Sequence, residues 1–160
     1  MTETAPTTNN ETLPVSAIKN GTVIDHITQG QALRIIHLLG LASHDNKVTI
    51  GLHLPSKRLG NKDLIKIENR ILTEDEANEI VIFSPLATIN VIQNFDVSKK
   101  YTTHLPKTMK KVFICRNPTC VTQAETVDSY FHITEQGKQI KLTCHYCEKT
   151  FDRDQLKVNL

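Results

Sequence analysis

The chain has 160 residues, of which 39% are hydrophobic and 22% charged, and its formal net charge at pH 7 is +2. This balance excludes wholesale disorder and a strongly basic nucleic-acid binder, and the length suits one domain or two small ones. No apolar run approaches the roughly 18 residues that span a bilayer and the N-terminus lacks a signal-peptide pattern, so we expect a cytoplasmic chain without membrane contact.

The N-terminal stretch MTETAPTTNNETLP is rich in Thr, Asn, Glu and Pro and shows no periodicity. Such a composition is typical of a mobile terminus. We therefore predict a flexible tail over residues 1–14 and place the start of the first domain at residue 15.

A strand, a helix and a second strand follow the tail. GTVIDHI is strand-like, and QALRIIHLLGL has apolar residues at the spacing of one buried helical stripe, namely Ala32, Ile35, Ile36 and Leu39. The segment VTIGLHLPS alternates in polarity, which predicts a strand with Val48, Ile50, Leu52 and Leu54 facing the core and Thr49, Gly51 and His53 facing water.

The next three elements complete a domain. DLIKIEN predicts a half-buried strand, a capping box at Thr73 and Glu76 begins a helix with an apolar stripe, and ATINVIQNFDV is a β-branched final strand. The stripe comprises Ala77, Ile80 and Val81. The order β-α-β-β-α-β predicts an α+β, ferredoxin-like domain, in which both helices cover one face of an antiparallel sheet and the other face stays available.

Residues 98–111, SKKYTTHLPKTMKK, are polar and basic and are interpreted as a linker. Beyond it, VFIC, VDSYFHI and IKLTC are strand-like, with a Gly-containing turn before the last. We expect one domain over residues 15–103 and a small all-β domain over residues 107–160.

All four cysteines of the chain lie in this second part, with the spacing C-x4-C, 23 residues, then C-x2-C: Cys115, Cys120, Cys144 and Cys147. Two short loops that each carry a cysteine pair are typical of a zinc ribbon, in which four thiolates hold one Zn²⁺. With four protein ligands no position stays open for water, so the metal would be structural. Disulfides, a redox CxxC pair and unrelated buried thiols are the alternatives, and a reducing compartment disfavours the first.

Several stretches in this order resemble the regulatory chain of aspartate carbamoyltransferase: GTVIDHI, TIGLHLPS, GNKDLIKIEN, SPLATINVI and CRNPTC with CHYCEK. The resemblance covers the chain from about Val15 to its end. It implies a non-catalytic subunit of pyrimidine biosynthesis whose first domain binds the effectors CTP, UTP and ATP. It further implies a zinc domain that docks on the catalytic chain, and regulatory homodimers within a dodecamer of six catalytic and six regulatory chains.

The resemblance also implies an effector site, carried over by position: Val15, Ala17, Ile18, Asp25, His26, Lys62, Lys66, Asn90, Ile92, Val97 and Lys100. The first three would meet the base through backbone groups, the next two would lie near ribose and phosphate, and Lys66 and Lys100 would contact ribose or phosphates. Ser16 and Phe95 depart from the expected acidic residue and Tyr. These departures leave the preference between ATP and CTP open.

Strand alternation supports part of this map. Lys66 and Asn90 lie opposite the apolar positions of their strands, on the free face of the sheet, where a cation and an amide could meet a triphosphate. Strict alternation sends Asp25 and His26 to opposite faces, so both can reach one ligand only if the strand ends or bulges there. Taken alone, a lysine on a wet strand face is usually just solvated, and the sequence has no Gly-rich phosphate loop.

Two other classes of function remain as alternatives. A zinc-ribbon nucleic-acid-binding protein is supported by the basic residues Lys107, Lys110, Lys111 and Arg116, although aromatic residues for base stacking are few. A free-standing enzyme is disfavoured because the sequence offers no evident nucleophile with a paired base, no carboxylate cluster and no open metal site.

Overall fold

A computed structural model describes residues 17–159. The predicted tail, together with Val15 and Ser16, lies outside the described residues. The first part of the chain forms β1 (Gly21–Thr28), α1 (Ala32–Leu38), β2 (Val48–Ser56), β3 (Gly60–Glu68), α2 (Glu74–Phe83), β4 (Thr88–Gln93) and β5 (Asp96–Lys100). The second part forms β6 (Thr108–Lys110), β7 (Phe113–Ile114), α3 (Val121–Ala124), β8 (Tyr130–Gln136), β9 (Gln139–Cys144), β10 (Thr150–Asp152) and β11 (Lys157–Val158), and short 3₁₀ turns lie at Leu41–Ser43 and Arg153–Gln155.

The first five strands form one antiparallel sheet in the order β2-β3-β1-β4-β5. The predicted α+β class and the β-α-β-β-α-β order are confirmed, with one strand more than expected. The segment predicted as a single final strand is a hairpin of β4 and β5, because Asn94 and Phe95 take φ values of 50° and 68° and reverse the chain. Positive φ in non-glycine residues is uncommon, so this turn has no simple sequence signal.

Both helices pack on one face of this sheet. The predicted stripe of α1 is buried, and so are the alternate residues of three central strands: Ile24, Ile65, Ile67, Ile89 and Val91. The capping box of α2 is present, with the Glu76 amide donating to Thr73 Oγ1 at 3.2 Å and the Thr73 amide donating to Glu76 Oε2 at 2.9 Å. The stripe predicted on α2 shifts at its end, since Val81 is half-buried while Ile82 and Phe83 are buried.

Strand β2 has the predicted bounds but not the predicted alternation. Ile50 and Leu52 are 41% and 45% exposed, whereas Gly51 is buried. The β2–β3 register shifts between Gly51 and Leu54, and His53 lies in this irregularity with a φ of 56°. Leu52 lies within the bulge, whereas Ile50 pairs in regular register with the buried Ile65 and is exposed because β2 lies at the sheet edge.

The segment predicted as a linker begins in one strand and ends in another. Residues 98–100 belong to β5, and residues 108–110 form β6, which pairs with β8. Between these strands, Tyr101 donates its amide to Ile89 O at 2.9 Å, and His104 donates its amide to Asn78 Oδ1 at 2.8 Å. The polar composition misled the prediction, because β5 and β6 are short edge strands that need few apolar residues.

The second part of the chain forms a sheet in the order β10-β9-β8-β6 and a two-stranded pairing of β11 with β7. Aromatic residues join it to the first part: the ring centroids of Phe83 and Phe113 lie 5.6 Å apart, and those of Phe113 and Phe131 lie 6.2 Å apart. The buried residues of both parts form one continuous apolar cluster. Among the described residues, no helix combines the length and apolar character needed to cross a membrane.

Candidate metal centre and ligand-binding surface

The four cysteines converge from two loops. Cys115 follows β7 and Cys120 precedes α3, while Cys144 ends β9 and Cys147 lies in the turn after it. All four Sγ atoms lie within 4.8 Å of one another. The distance between Cys115 Sγ and Cys147 Sγ is 3.7 Å, and that between Cys120 Sγ and Cys144 Sγ is also 3.7 Å.

These distances fit a tetrahedral metal site. Ligand bonds of about 2.3 Å at tetrahedral angles place sulfur atoms about 3.8 Å apart, whereas a disulfide needs about 2.05 Å. The cysteines are free thiols, and three of them are buried. The second part of the chain therefore carries four sulfur ligands that can bind one metal ion and fill its coordination shell.

The thiols are held in unequal environments. Burial raises the pKa of Cys115 and of Cys144. Burial alone would also raise the pKa of Cys147, but hydrogen bonds from Asn117 and from the Lys149 backbone outweigh it and lower the pKa to about 7. Because metals bind thiolates, occupancy of this site is coupled to loss of protons, and four thiolates this close together are stable only around a cation.

Residues outside the ligand set shape the first cysteine loop. Asn117 is buried, and its Oδ1 accepts from the Thr119 amide at 3.3 Å and from Thr119 Oγ1 at 3.0 Å. Thr122 Oγ1 donates to Cys120 Sγ at 3.2 Å. Asn117 is not among the residues predicted from the sequence, although an Asn two residues after a cysteine and before Pro is a signal for an Asx turn.

A second candidate site lies on the sheet face that no helix of residues 17–159 covers. The strand registers place Lys66, Val23, Asn90 and Lys100 in one cross-strand row, in this order across β3, β1, β4 and β5. Residues paired directly across antiparallel strands point to the same face. The row thus combines two ammonium groups and an amide, and Val23 is a member that the sequence analysis missed.

A bulge in β1 brings both Asp25 and His26 to this face. The β1–β3 register shifts between Ile24 and Ile27, and His26 takes a φ of 53°. His26 Nδ1 lies 3.1 Å from Oγ1 of Thr88, which pairs with Asp25 across the strands. The bulge that Asp25 and His26 need in order to reach one ligand is therefore present. Thr88 is a further polar member of this face that was not predicted.

Charges on this face are paired within the sheet. Lys62 Nζ lies 2.8 Å from Asp25 Oδ1. Burial alone would raise the pKa of Asp25, but the hydrogen bonds from Lys62 and the His26 amide outweigh it and hold the pKa below its ordinary value. Burial lowers the pKa of Lys66, an effect that Asp25 partly opposes. The face therefore holds partly desolvated cations around one carboxylate.

The remaining predicted residues that the structure describes lie around the turn between β4 and β5. Ile92 pairs with Val97, which is 61% exposed, and Phe95 in the turn is 62% exposed. Ile18 is buried and Ala17 is exposed. The Phe95 amide donates to Lys19 O at 2.9 Å, which places the entry into β1 beside this turn. Val15 and Ser16 precede the described residues.

The fold and the two sites define a metal-binding chain in two parts, whose main sheet has one face that no described helix covers. Residues 13–104 match the family described as aspartate carbamoyltransferase regulatory chain, allosteric domain, and residues 107–157 match the family described as aspartate carbamoyltransferase regulatory chain, metal binding domain. The chain belongs to the aspartate carbamoyltransferase regulatory chain family. The resemblance drawn from the sequence is thereby confirmed, and so is the expectation of a non-catalytic subunit.

Curated relatives match the sequence of this chain along almost its full length. The regulatory chain of Photobacterium profundum is 46% identical over 147 residues, which cover 92% of this chain and 96% of the relative. The regulatory chain of Photorhabdus laumondii is 45% identical over 152 residues, which cover 95% of this chain and 99% of the relative. That of Baumannia cicadellinicola is 50% identical over 141 residues, covering 88% and 90%.

Proposed function

We propose that the chain senses CTP, UTP and ATP on the open face of its main sheet and passes the signal to the catalytic chain of aspartate carbamoyltransferase. The cross-strand row of Lys66, Asn90 and Lys100 is the observation that carries this proposal. Ammonium groups and an amide on one rigid face can hold a triphosphate and a ribose. In this arrangement the bulged Asp25 and His26 lie beside the ribose and phosphates, with Lys62 held by Asp25.

The base would lie at the end of the face where β4 turns into β5. Ile92 and Val97 supply apolar contacts there, and backbone groups of Val15, Ala17 and Ile18 supply hydrogen bonds. The buried Ile18 side chain favours a backbone contact at that residue. Phe95 and Ser16 would then tune the preference between ATP and the pyrimidine nucleotides.

The metal of the second domain is proposed to be a single structural Zn²⁺, because four thiolates in tetrahedral arrangement suit this ion. Its role is to fold the two cysteine loops into a surface that docks on the catalytic chain. Such a small module buries little core of its own, so metal binding and folding are coupled. The proposed domain extents are residues 15–103 for the sensor and 107–160 for the docking module.

The proposed assembly is a cytoplasmic dodecamer of six catalytic and six regulatory chains, in which regulatory chains pair as homodimers. The sheet edge formed by β2 offers a surface for that pairing, because Ile50 and Leu52 are exposed there beside unpaired backbone groups. A two-fold axis at such an edge would join two copies through the same strand.

Regulation requires that an effector bind one quaternary state more tightly than the other, since equal affinities shift nothing. A coupling free energy of about 1–3 kcal/mol is typical of allosteric proteins. The sensor domain contributes this difference through the open face, and the shared apolar cluster around Phe83 and Phe113 connects it to the metal module.

Co-expression with the catalytic chain tests the proposal. In Lys66→Ala we expect that about ten times more CTP or ATP is needed to produce the same change in activity, while the complex still assembles. In Cys144→Ser we expect loss of zinc by elemental analysis together with loss of assembly. Lys57→Ala, an exposed loop lysine, is the matched control. Normal assembly of the zinc-free Cys144→Ser chain would show that the docking role is wrong, and an unchanged nucleotide response in Lys66→Ala would remove the effector site from this face.

The family assignment does not favour the alternative of a zinc-ribbon nucleic-acid-binding protein. A gel-shift titration with DNA and RNA at two salt concentrations gives the direct comparison.

A further inference from the structure

A cleft of about 910 Å³ separates α1 of the first domain from the metal-binding module. Its walls come from both parts of the chain, and apolar residues such as Ile114 and Leu156 form part of the lining. The volume falls in the range of about 300–1,000 Å³ that is usual for small-molecule sites. Since α1 covers the closed face of the main sheet, this cleft is separate from the surface proposed for nucleotides.

Basic side chains dominate the polar lining of the cleft. Arg34 and His37 come from α1, and Arg116 and Lys157 come from the metal-binding module. Asp154 is the one carboxylate among the described residues that line it, and Arg153 Nε holds that carboxylate at 3.2 Å. The cleft therefore has an excess of positive charge supplied from two sides.

One of these cations has a donor atom without a partner among the described residues. Nη1 of Arg34 is buried and makes no hydrogen bond within the described part of the chain. A buried donor on a charged group is costly to leave unpaired, and the planar guanidinium is suited to two parallel bonds to an oxyanion. Arg116 differs, because its Nη1 donates to Gln155 O at 3.3 Å.

We propose that this interdomain cleft binds a small multivalent oxyanion of the phosphate class, with Arg34 as its principal contact and Lys157 and Arg116 as contacts from the facing module. A free anion is favoured over an acidic side chain of a partner protein because the cations stand on both walls of the cleft, and a compact ligand can contact both walls at once. The anion would neutralise cations that otherwise repel one another across the cleft.

Such a ligand would act on the geometry of the two domains. Because its contacts come from both sides, it binds most tightly when α1 and the module are close, and so it stabilises that arrangement. This effect is independent of nucleotide binding on the open face, and the two can be tested separately.

Titration of the full-length chain with pyrophosphate tests the proposal, with sodium chloride at equal ionic strength as the reference. Backbone amide NMR shifts report the site of binding. We expect saturable shifts in α1 and β11, and about tenfold weaker binding in Arg34→Gln and in Lys157→Gln, which corresponds to one lost charge-assisted contact. Arg34→Lys keeps the charge and should recover part of the affinity, while Arg58→Gln, an exposed loop variant, should leave it unchanged.

Four results would overturn the proposal. Shifts confined to the open face around Lys66 would place the anion on the nucleotide surface. Shifts no larger than those caused by chloride would show that pyrophosphate binds only through nonspecific electrostatic attraction. An equal loss of pyrophosphate affinity in Arg58→Gln would show the same. Unchanged pyrophosphate binding in Arg34→Gln, combined with weaker assembly with the catalytic chain, would assign the cleft to a carboxylate of that partner.

Discussion

At the scale of single residues, the buried Asp63 organises the closed side of the main sheet. Its Oδ2 accepts from the amides of Gly30 and Ala32 at 2.9 and 3.3 Å, and its Oδ1 accepts from the His53 amide at 3.1 Å. One carboxylate thus serves the start of α1 and the bulge of β2. Three backbone donors in two separate elements depend on this side chain.

We expect Asp63→Ala to lower the free energy of unfolding by about 3 kcal/mol, because it leaves one buried and two partly buried backbone donors unpaired. Asp63→Asn keeps one acceptor oxygen, so its free energy of unfolding should fall by less. Urea denaturation of both variants measures the difference, with Asp45→Ala, an exposed loop variant, as the control. Equal losses in Asp63→Ala and Asp45→Ala would mean that water replaces the carboxylate.

Asp25 makes the stability of the chain depend on pH. Its pKa in the folded state is lowered below the ordinary value of 3.8, chiefly because the hydrogen bonds from Lys62 and the His26 amide outweigh burial. Its contribution is therefore fully present above the unfolded-state pKa and is lost as the pH falls through the lower folded value.

We accordingly expect the wild-type chain to lose more stability between pH 6 and about pH 3 than Asp25→Asn does. The measurement is the urea midpoint at a series of pH values at constant ionic strength. Asp45→Asn should follow the wild-type curve. Parallel curves for wild type and Asp25→Asn would rule out a role for this ion pair in acid unfolding.

The sequence predicted individual residues well where a repeating pattern fixed their direction. Lys66 and Asn90 were placed on the open face because their strands alternate regularly there. Asp63 was missed, since a single acid at the start of a strand looks like any solvated residue and its partners lie 10 or more positions away in sequence. Side-chain bonds over such separations leave no local pattern.

At the scale of secondary-structure elements, β2 is the least typical strand. It lies at the edge of the sheet, carries a bulge, and exposes Ile50 and Leu52. Proteins usually protect long apolar edges with charges or by covering them. An edge with exposed apolar side chains is consistent with the proposed pairing of two regulatory chains.

We expect Leu52→Glu to raise the dissociation constant of the regulatory homodimer at least about tenfold, because the change would bury a charge at the contact. The unfolding free energy of the monomer should change by less than about 0.5 kcal/mol, since the side chain is largely exposed. Sedimentation of the isolated chain measures the first quantity. Leu33→Glu alters a leucine that is 56% exposed on α1 and is the matched control. If Leu52→Glu leaves the dissociation constant of the homodimer unchanged, the two chains pair through another surface.

Elements with strong periodicity were predictable, and those defined by turns were not. The α1 stripe and the capping box of α2 follow from spacing and were predicted. The β4–β5 hairpin was read as one strand because its reversal uses Asn94 and Phe95 rather than glycine. Residues 98–100 of β5 and the strand β6 are predicted as part of a linker because edge strands with exposed residues lack alternation.

At the scale of the whole molecule, the two parts of the chain are joined by contacts that the sequence could not indicate. The cysteine spacing predicted four converging ligands, and the structure brings them together. How the metal module meets the first domain depends on shape, as with the packing of Phe113 against Phe83. Pairs of this kind involve common residues at large sequence separation, so a single sequence gives no sign of them.

The contact between Arg153 and α2 gives a test of communication between the parts. Arg153 Nη1 donates to Ile82 O at 2.6 Å, so a cation of the metal-binding module satisfies one of the last carbonyls of a helix in the first domain. A shift of α2 on effector binding would therefore act directly on the module. The apolar contacts around it would move with the same helix.

In Arg153→Gln we expect the coupling between nucleotide binding and catalytic activity to fall by about 0.5–2 kcal/mol, or about twofold to thirtyfold in the regulatory response. The dissociation constant for CTP and the zinc content should stay close to wild type, because both sites lie away from this contact. Calorimetry of the isolated chain measures CTP binding, and activity assays of the assembled enzyme measure the response. Arg58→Gln serves as the control for charge loss. If the response of Arg153→Gln equals that of Arg58→Gln, the signal passes between the domains by another route, and the aromatic contact of Phe83 with Phe113 becomes the next contact to vary.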